Sequence, residues 1–95
     1  MQKQQSEILA IQLRFFEALD IVIETGQCGG LKTFCDKHNL NRVRYSYVRT
    51  NIRNTGEDRM IKYKIIDLVA LTYLCQDYNV SADWLLLGKG KMFNK

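Results

Sequence analysis

The chain of 95 residues has little or none of several residue types, and each shortage excludes a class of protein. It contains no proline, a single histidine, His38, and three cysteines, Cys28, Cys35 and Cys75. An odd number of cysteines without close spacing argues against a disulfide framework, and one histidine argues against a zinc site. We therefore expect reduced thiols, no metal and no cofactor, with His38 at the surface near the end of its helix.

Long apolar runs are also missing. No stretch approaches the roughly 20 apolar residues that a membrane-spanning helix needs, and the first residues, MQKQQSE, contain no apolar signal core. We expect a soluble, cytoplasmic protein with no membrane contact. The length predicts a single domain over residues 1–95 with a modest core.

Groups suited to catalysis are equally scarce. The GKG at residues 88–90 is not a nucleotide-binding loop, since no strand precedes it and no helix follows it. Glu57 and Asp58 are adjacent in a polar loop and are interpreted as surface residues, and no histidine apart from His38 could serve a catalytic triad. We predict that the chain is not an enzyme, and we infer no small-molecule ligand.

Helical patterns, by contrast, occupy most of the chain. All six glycines fall between segments with helical apolar spacing. The pattern predicts an all-α fold, a small bundle of five helices at about residues 6–25, 31–38, 41–53, 67–78 and 81–87. Between the third and fourth helices, apolar residues alternate with lysines in MIKYKI, which predicts an extended segment at about residues 60–65.

The predicted helix ends have suitable capping residues. Ser6, Asp67 and Ser81 are expected N-caps, and Gly26, Asn79 and Gly88 are expected to end their helices. The inward face of the fourth helix is predicted to be Leu68, Leu71, Leu74 and Cys75, and Trp84 with two or more leucines is expected to pack from the last helix. The first helix is apolar around much of its circumference, so it either runs beneath the other helices or contacts a second subunit.

The stretch at residues 31–50, LKTFCDKHNLNRVRYSYVRT, reads as two short helices joined by a tight turn. Asn39 tolerates a left-handed backbone and can end the first helix, and Asn41 can cap the second. The apolar residues recur at helical spacing and can hold both helices on one core; they are Phe34, Cys35, Leu40, Tyr45 and Val48. The outer face of the second helix is then left free.

This stretch resembles the helix-turn-helix of lambda-repressor-like (Cro/CI or XRE-type) DNA-binding proteins of bacteria and phage. The small residue usual in the first helix is Cys35 here, the turn residue is Asn39 instead of glycine, and Tyr45 replaces the usual Ile or Val. The closing segment YNVSADWLLLGKGKMF is similar to that of many small phage-repressor-type regulators. The resemblance covers about residues 31–93 with a gap at residues 54–65, and it implies a sequence-specific transcriptional regulator, repressor-like, that binds double-stranded DNA.

Basic charge coincides with this stretch. Between Lys32 and Lys64 nine lysines and arginines stand against three acidic residues, whereas residues 65–88 carry three aspartates and no lysine or arginine. If the second helix of the motif lies in a major groove, its outer residues near the start can reach base edges; they are Arg42, Val43, Ser46 and Tyr47. Residues farther around or along the helix, with Lys32 before it, are expected to contact phosphates; they are Lys32, Asn41, Arg44, Arg49, Thr50 and Arg53.

One such motif offers little contact area, so the resemblance implies a homodimer on two half-sites. Its interface could involve the first helix, the extended segment or the C-terminal helix with its tail, and the sequence does not choose among them. Two other functions stay open at this point. One is an antitoxin-type regulator that also holds a toxin, and the other is a protein-binding helical adaptor whose basic face has no DNA partner.

Overall fold

The computed structural model describes residues 3–54 and 65–94, and this part of the chain folds into five helices. They are α1 (Lys3–Glu24), α2 (Leu31–His38), α3 (Arg42–Asn54), α4 (Leu68–Tyr78) and α5 (Ala82–Leu87). The predicted all-α class and the five predicted helices are thus confirmed. The extended segment expected at about residues 60–65 lies outside the described residues apart from Ile65, which is not helical.

The first helix is the centre of the core. Phe15, Ala18, Leu19 and Val22 are wholly buried, and α1 packs against α3, α4 and α5. The helix begins at Lys3, so Ser6 lies inside it and the predicted N-cap is wrong. Lys3, Gln4 and Gln5 precede Ser6 in the helix, and lysine and glutamine are good helix formers.

Four of the other predicted helix ends follow from local geometry. Asn39 and Asn79 adopt left-handed conformations with φ of 58° and 61°, and Gly88 ends α5 with φ of 72°. The hydroxyl of Ser81 accepts a hydrogen bond from the Trp84 N–H at 3.3 Å. These residues therefore stop or start their helices as predicted.

Some apolar residues of α4 and α5 are more exposed than the helical pattern predicted. Leu68 is 81% exposed, although Leu71 and Leu74 are buried as expected. Of the three leucines of α5 only Leu85 is buried, and Leu86 and Leu87 face solvent. Leu68 is exposed because it is the first residue of α4. Leu86 and Leu87 are exposed because α5, with six residues, has only one short face to bury.

His38 is also not the surface residue that was predicted. Its side chain is only 12% exposed, its Nε2 lies 2.6 Å from Asp77 Oδ2, and its ring stacks on Tyr73 at 3.9 Å. Burial raises the pKa of Asp77, but its bonds to His38 and Lys37 outweigh that effect and hold the pKa below its usual value. The end of α2 is thereby joined to α4.

The residues after α5 fold back onto the turn between α4 and α5. The Ser81 N–H donates to the Met92 carbonyl at 2.8 Å, and the Asn94 N–H donates to the Asn79 carbonyl at 3.0 Å. Val80 and Phe93 form an antiparallel bridge. The side chains of Met92 and Phe93 consequently pack against the core, a contact that the sequence did not predict.

The three cysteines are free thiols, as expected. Cys28 and Cys35 are buried and Cys75 is partly exposed. Burial raises the pKa of Cys35 to about 11 and also raises the pKa of Cys75. Both thiols therefore stay protonated near neutral pH.

Candidate nucleic-acid interface

The turn from α2 to α3 fixes the direction in which α3 starts. Asn39 ends α2, and the Leu40 N–H donates to the Cys35 carbonyl at 2.8 Å. The side-chain oxygen of Asn41 then accepts from the Arg44 N–H at 3.0 Å, the N-cap bond that the sequence predicted. Backbone groups at both sides of the turn are thus satisfied within the motif.

The inner face of α3 is anchored firmly to the core. Tyr45 and Val48 are buried, as predicted, and Ile52 continues the same face. The Tyr45 hydroxyl donates to Asp67 Oδ2 at 2.7 Å and accepts from the Asp67 N–H at 2.9 Å. Burial raises the pKa of Tyr45, so this hydroxyl keeps its proton and both bonds.

The outer face of α3 is open to solvent. Val43 is 69% exposed and Tyr47 41%, and Arg42 is exposed beside them. Ser46 is only partly exposed. Three of the four residues expected to read bases therefore lie on an accessible surface, and the fourth lies at its edge. We call this surface, defined by Arg42, Val43, Ser46, Tyr47 and Thr50, the outer face of α3.

The residues expected to contact phosphates are less uniform. Thr50 and Asn41 are exposed, the latter with its oxygen engaged in the cap. Lys32 is exposed and pairs at 2.6 Å with Asp36, which is also exposed. The backbone of Arg53 belongs to α3, while its side chain lies outside the described residues.

Two of the predicted phosphate contacts are held in ion pairs with other helices or segments. Arg44 Nη2 lies 2.5 Å from Asp67 Oδ2, and Arg49 Nη1 lies 3.6 Å from Asp20 Oδ1. The side chains of both arginines are about one third exposed or less. Arg44 and Arg49 can therefore reach a phosphate only by leaving or sharing these carboxylates.

Asp67 lies at the predicted N-cap position of α4, but its side chain has a different role from the predicted one. It occupies the N-cap position of α4, yet its side chain makes no cap bond and instead turns to α3. The hydrogen bond from Arg44, followed by that from Tyr45, lowers the pKa of the Asp67 carboxyl. A charged carboxylate thus ties the start of α4 to the inner side of α3.

Gln12 is a second residue whose role the sequence did not show. Its side chain is 2% exposed within α1, and its Oε1 accepts the Ile66 N–H at 2.9 Å. A lone glutamine among apolar residues of a helix is the signal that could have indicated a buried polar contact. Together with Tyr45, Gln12 fixes the backbone that leads into α4.

The described residues contain no group of three or more His, Cys, Asp or Glu side chains that could hold a metal ion. Among the same residues, no helix combines the length and apolar character that crossing a membrane requires. Comparisons with models of known protein families, with curated proteins and with solved structures gave no match.

Proposed function

We propose that the chain is a sequence-specific DNA-binding transcriptional regulator, repressor-like, with α2 and α3 acting as a helix-turn-helix. The observation that carries this proposal is the outer face of α3, where Arg42, Val43 and Tyr47 are accessible while Tyr45 and Val48 are buried behind them. A helix anchored on one side and exposed near its start on the other can enter a major groove without rearrangement.

The chemistry of the outer face suits base edges. Arg42 can donate two hydrogen bonds to O6 and N7 of a guanine, and Val43 can contact a thymine methyl group. Ser46 can bond to a base or a phosphate, and the Tyr47 hydroxyl can bond to a phosphate. These four residues form the proposed reading surface.

Phosphate contacts come from the residues around it. Lys32, Asn41, Thr50 and Arg53 are assigned this role. The exposed pair between Lys32 and Asp36 is a surface ion pair, a type worth about 0–1 kcal/mol, so a phosphate can replace the carboxylate. Arg44 and Arg49 make smaller contributions, because their carboxylate partners already neutralise them.

Two copies of the chain are expected to bind together. A single helix in a groove buries little surface, and proteins that use this motif bind half-sites about 34 Å apart as two-fold dimers. The dimer would place one α3 in each of two successive major grooves on the same side of the duplex.

The test is a selection from random DNA duplexes by the purified protein, followed by binding measurements on the enriched sequence. The proposal expects a palindromic consensus and an affinity that falls steeply with salt, because phosphate contacts release counterions. Failure to enrich any sequence, together with no binding at low salt, would remove the proposal.

A protein-binding helical adaptor is the second candidate, and an apolar groove beside α4 and α5 favours it. An antitoxin-type regulator would combine both activities, with α3 on DNA and another surface on a toxin. Binding of DNA by the isolated chain separates the first candidate from the adaptor.

A further inference from the structure

Two adjacent apolar depressions lie on one surface of the bundle. One depression of about 280 Å³ lies between α4 and α5, where its walls include Leu71, Cys75 and Leu85. A neighbouring depression of about 190 Å³ lies between α1 and the residues entering α4, with Ile8 and Ile65 in its wall. Leu68 and Leu71 line both, so the two depressions are adjacent, and we call them together the groove.

The groove contains a protruding side chain, Leu68, and beside it a depression that could receive the same side chain from a second copy. Leu68 stands at the boundary of the two depressions and is 81% exposed, the most exposed large apolar side chain among the described residues. An isologous two-fold contact requires a surface that is complementary to itself. A protruding leucine directly beside an apolar hollow meets this requirement, since each copy can fill the hollow of the other.

Charge also favours a second copy on this groove. Among the described residues, Asp67 is the single charged residue in the lining of the groove, and its carboxylate is already bonded to Arg44 and Tyr45. Two identical surfaces that meet across a two-fold axis bring equal charges together, which opposes association of charged patches. The basic surface around Lys32 and Arg42 is thus unsuited to self-association, whereas the described lining of the groove carries no unpaired charge.

We propose that two copies of the chain associate through this groove, with Leu68 of each copy inserted into the depression between α4 and α5 of the other. Exposed apolar side chains border the same groove and would be covered by the contact; they are Ile8, Ile65, Leu68 and Leu86. This inference deepens the dimer expected under the proposed function and can be tested without DNA.

The experiment measures the mass of the free protein by sedimentation equilibrium over a wide concentration range. Three proteins are compared: the unchanged chain, Leu68→Glu and the control Leu87→Glu. Leu87 is also a strongly exposed leucine, 63%, but it lines neither depression. Both positions are exposed, so both variants should fold, which circular dichroism and thermal unfolding verify.

The unchanged chain and Leu87→Glu are expected to form dimers with similar dissociation constants. Leu68→Glu should raise the dissociation constant on the order of 100-fold, as does loss of a residue central to an interface. A wild-type chain that stays monomeric throughout, or folded variants that dimerise equally well, would overturn the proposal and leave the groove to a different partner.

A second measurement locates the interface on the surface. Cys75 is partly exposed in the wall of the groove, while Cys28 and Cys35 are buried in the core. Alkylation of Cys75, followed by mass spectrometry, should become slower as the unchanged chain dimerises and should not depend on the concentration of Leu68→Glu. Dimerisation without any protection of Cys75 would place the interface elsewhere and overturn the proposal.

The two proposals can fail separately. A dimer that Leu68→Glu disrupts but that binds no DNA would remove the proposed function and keep the groove interface. Specific DNA binding by a chain that is monomeric when free would keep the proposed function and remove the groove interface.

Discussion

The outer face of α3 and the groove beside α4 and α5 both expose apolar side chains, but their electrostatic surroundings differ. On α3, Val43 and Tyr47 stand next to the cation Arg42, and Lys32 is exposed on the preceding helix. The lining of the groove is mostly apolar where the structure describes it, and the carboxylate of Asp67 in it is paired. Exposed apolar area alone therefore does not identify a partner, whereas the charge beside it favours a polyanion in one case and a neutral protein surface in the other.

A comparison of the same residue type on the two faces of α3 should give the largest effect. Tyr45→Ala is expected to cost about 3–5 kcal/mol of unfolding free energy, because it empties a core site and removes the hydroxyl that bonds to Asp67. Tyr47→Ala should change stability by no more than about 0.5 kcal/mol, yet weaken DNA binding. Urea unfolding and a DNA titration measure the two effects, and similar losses of stability in both variants would contradict the structure.

The next comparison separates reading of bases from contact with phosphates. Arg42→Ala should weaken binding to the preferred duplex by about 1–3 kcal/mol and change random DNA much less, because it removes a base contact. Arg53→Ala should weaken binding evenly on all sequences. Titrations of each variant on the selected and a scrambled duplex test this division, which equal losses on both duplexes from both variants would refute.

The two helix caps provide a smaller and closely matched comparison. Asn41 caps α3 and Ser81 caps α5, each with a side-chain oxygen that accepts a backbone N–H. Asn41→Ala and Ser81→Ala should each lower stability by about 1 kcal/mol. Asn41→Ala alone should also weaken DNA binding, since α3 begins there. A comparable loss of binding in Ser81→Ala would show that general stability, and not the start of α3, controls recognition.

Acid stability gives the smallest expected difference. The pKa of Asp67 is lowered in the folded chain by Arg44 and Tyr45, so its charge stabilises the fold above the ordinary carboxyl pKa of about 4. That contribution disappears as the pH falls through the lowered pKa. Thermal unfolding between neutral and acidic pH should show a shallower loss of stability in Asp67→Asn than in the unchanged chain.

Asp77→Asn extends this comparison to a second carboxylate with a lowered pKa, which joins α4 to His38 and Lys37. Asp77→Asn should also make the loss of stability toward acidic pH shallower, because the substituted side chain no longer has a carboxyl group to protonate. The bonds of Asp77 are to residues of α2, whereas those of Asp67 are to residues of α3. Asp67→Asn is therefore expected to weaken DNA binding more than Asp77→Asn does. If both variants lose stability toward acidic pH as steeply as the unchanged chain, the contacts of Asp67 and Asp77 do not stabilise the fold.

The features that the sequence predicted correctly depend on neighbouring residues. Asn39, Asn79 and Gly88 end helices because their own backbone tolerates positive φ, and Asn41 caps a helix through an atom three residues away. The buried face of α3 follows likewise from helical spacing, which repeats within the segment. These features were predictable because one short stretch contains all their causes.

The features that the sequence did not predict depend on residues distant along the chain. His38 is buried because Asp77 and Tyr73 approach it from α4, and Arg44 is neutralised by a carboxylate 23 positions away. Helical spacing also placed Leu68 on an inward face, although its side chain at the first turn of α4 is largely exposed. Periodicity identifies a helix face but not whether the rest of the fold reaches it.

The most direct test of the central claim is the affinity of the purified chain for the DNA sequence that it selects, measured at two salt concentrations beside Arg42→Ala. The proposed function predicts tight binding to that sequence, a steep loss of affinity at the higher salt and a selective loss on substitution of Arg42. No preference for any duplex, with no effect of Arg42→Ala, would contradict the claim that the outer face of α3 reads DNA.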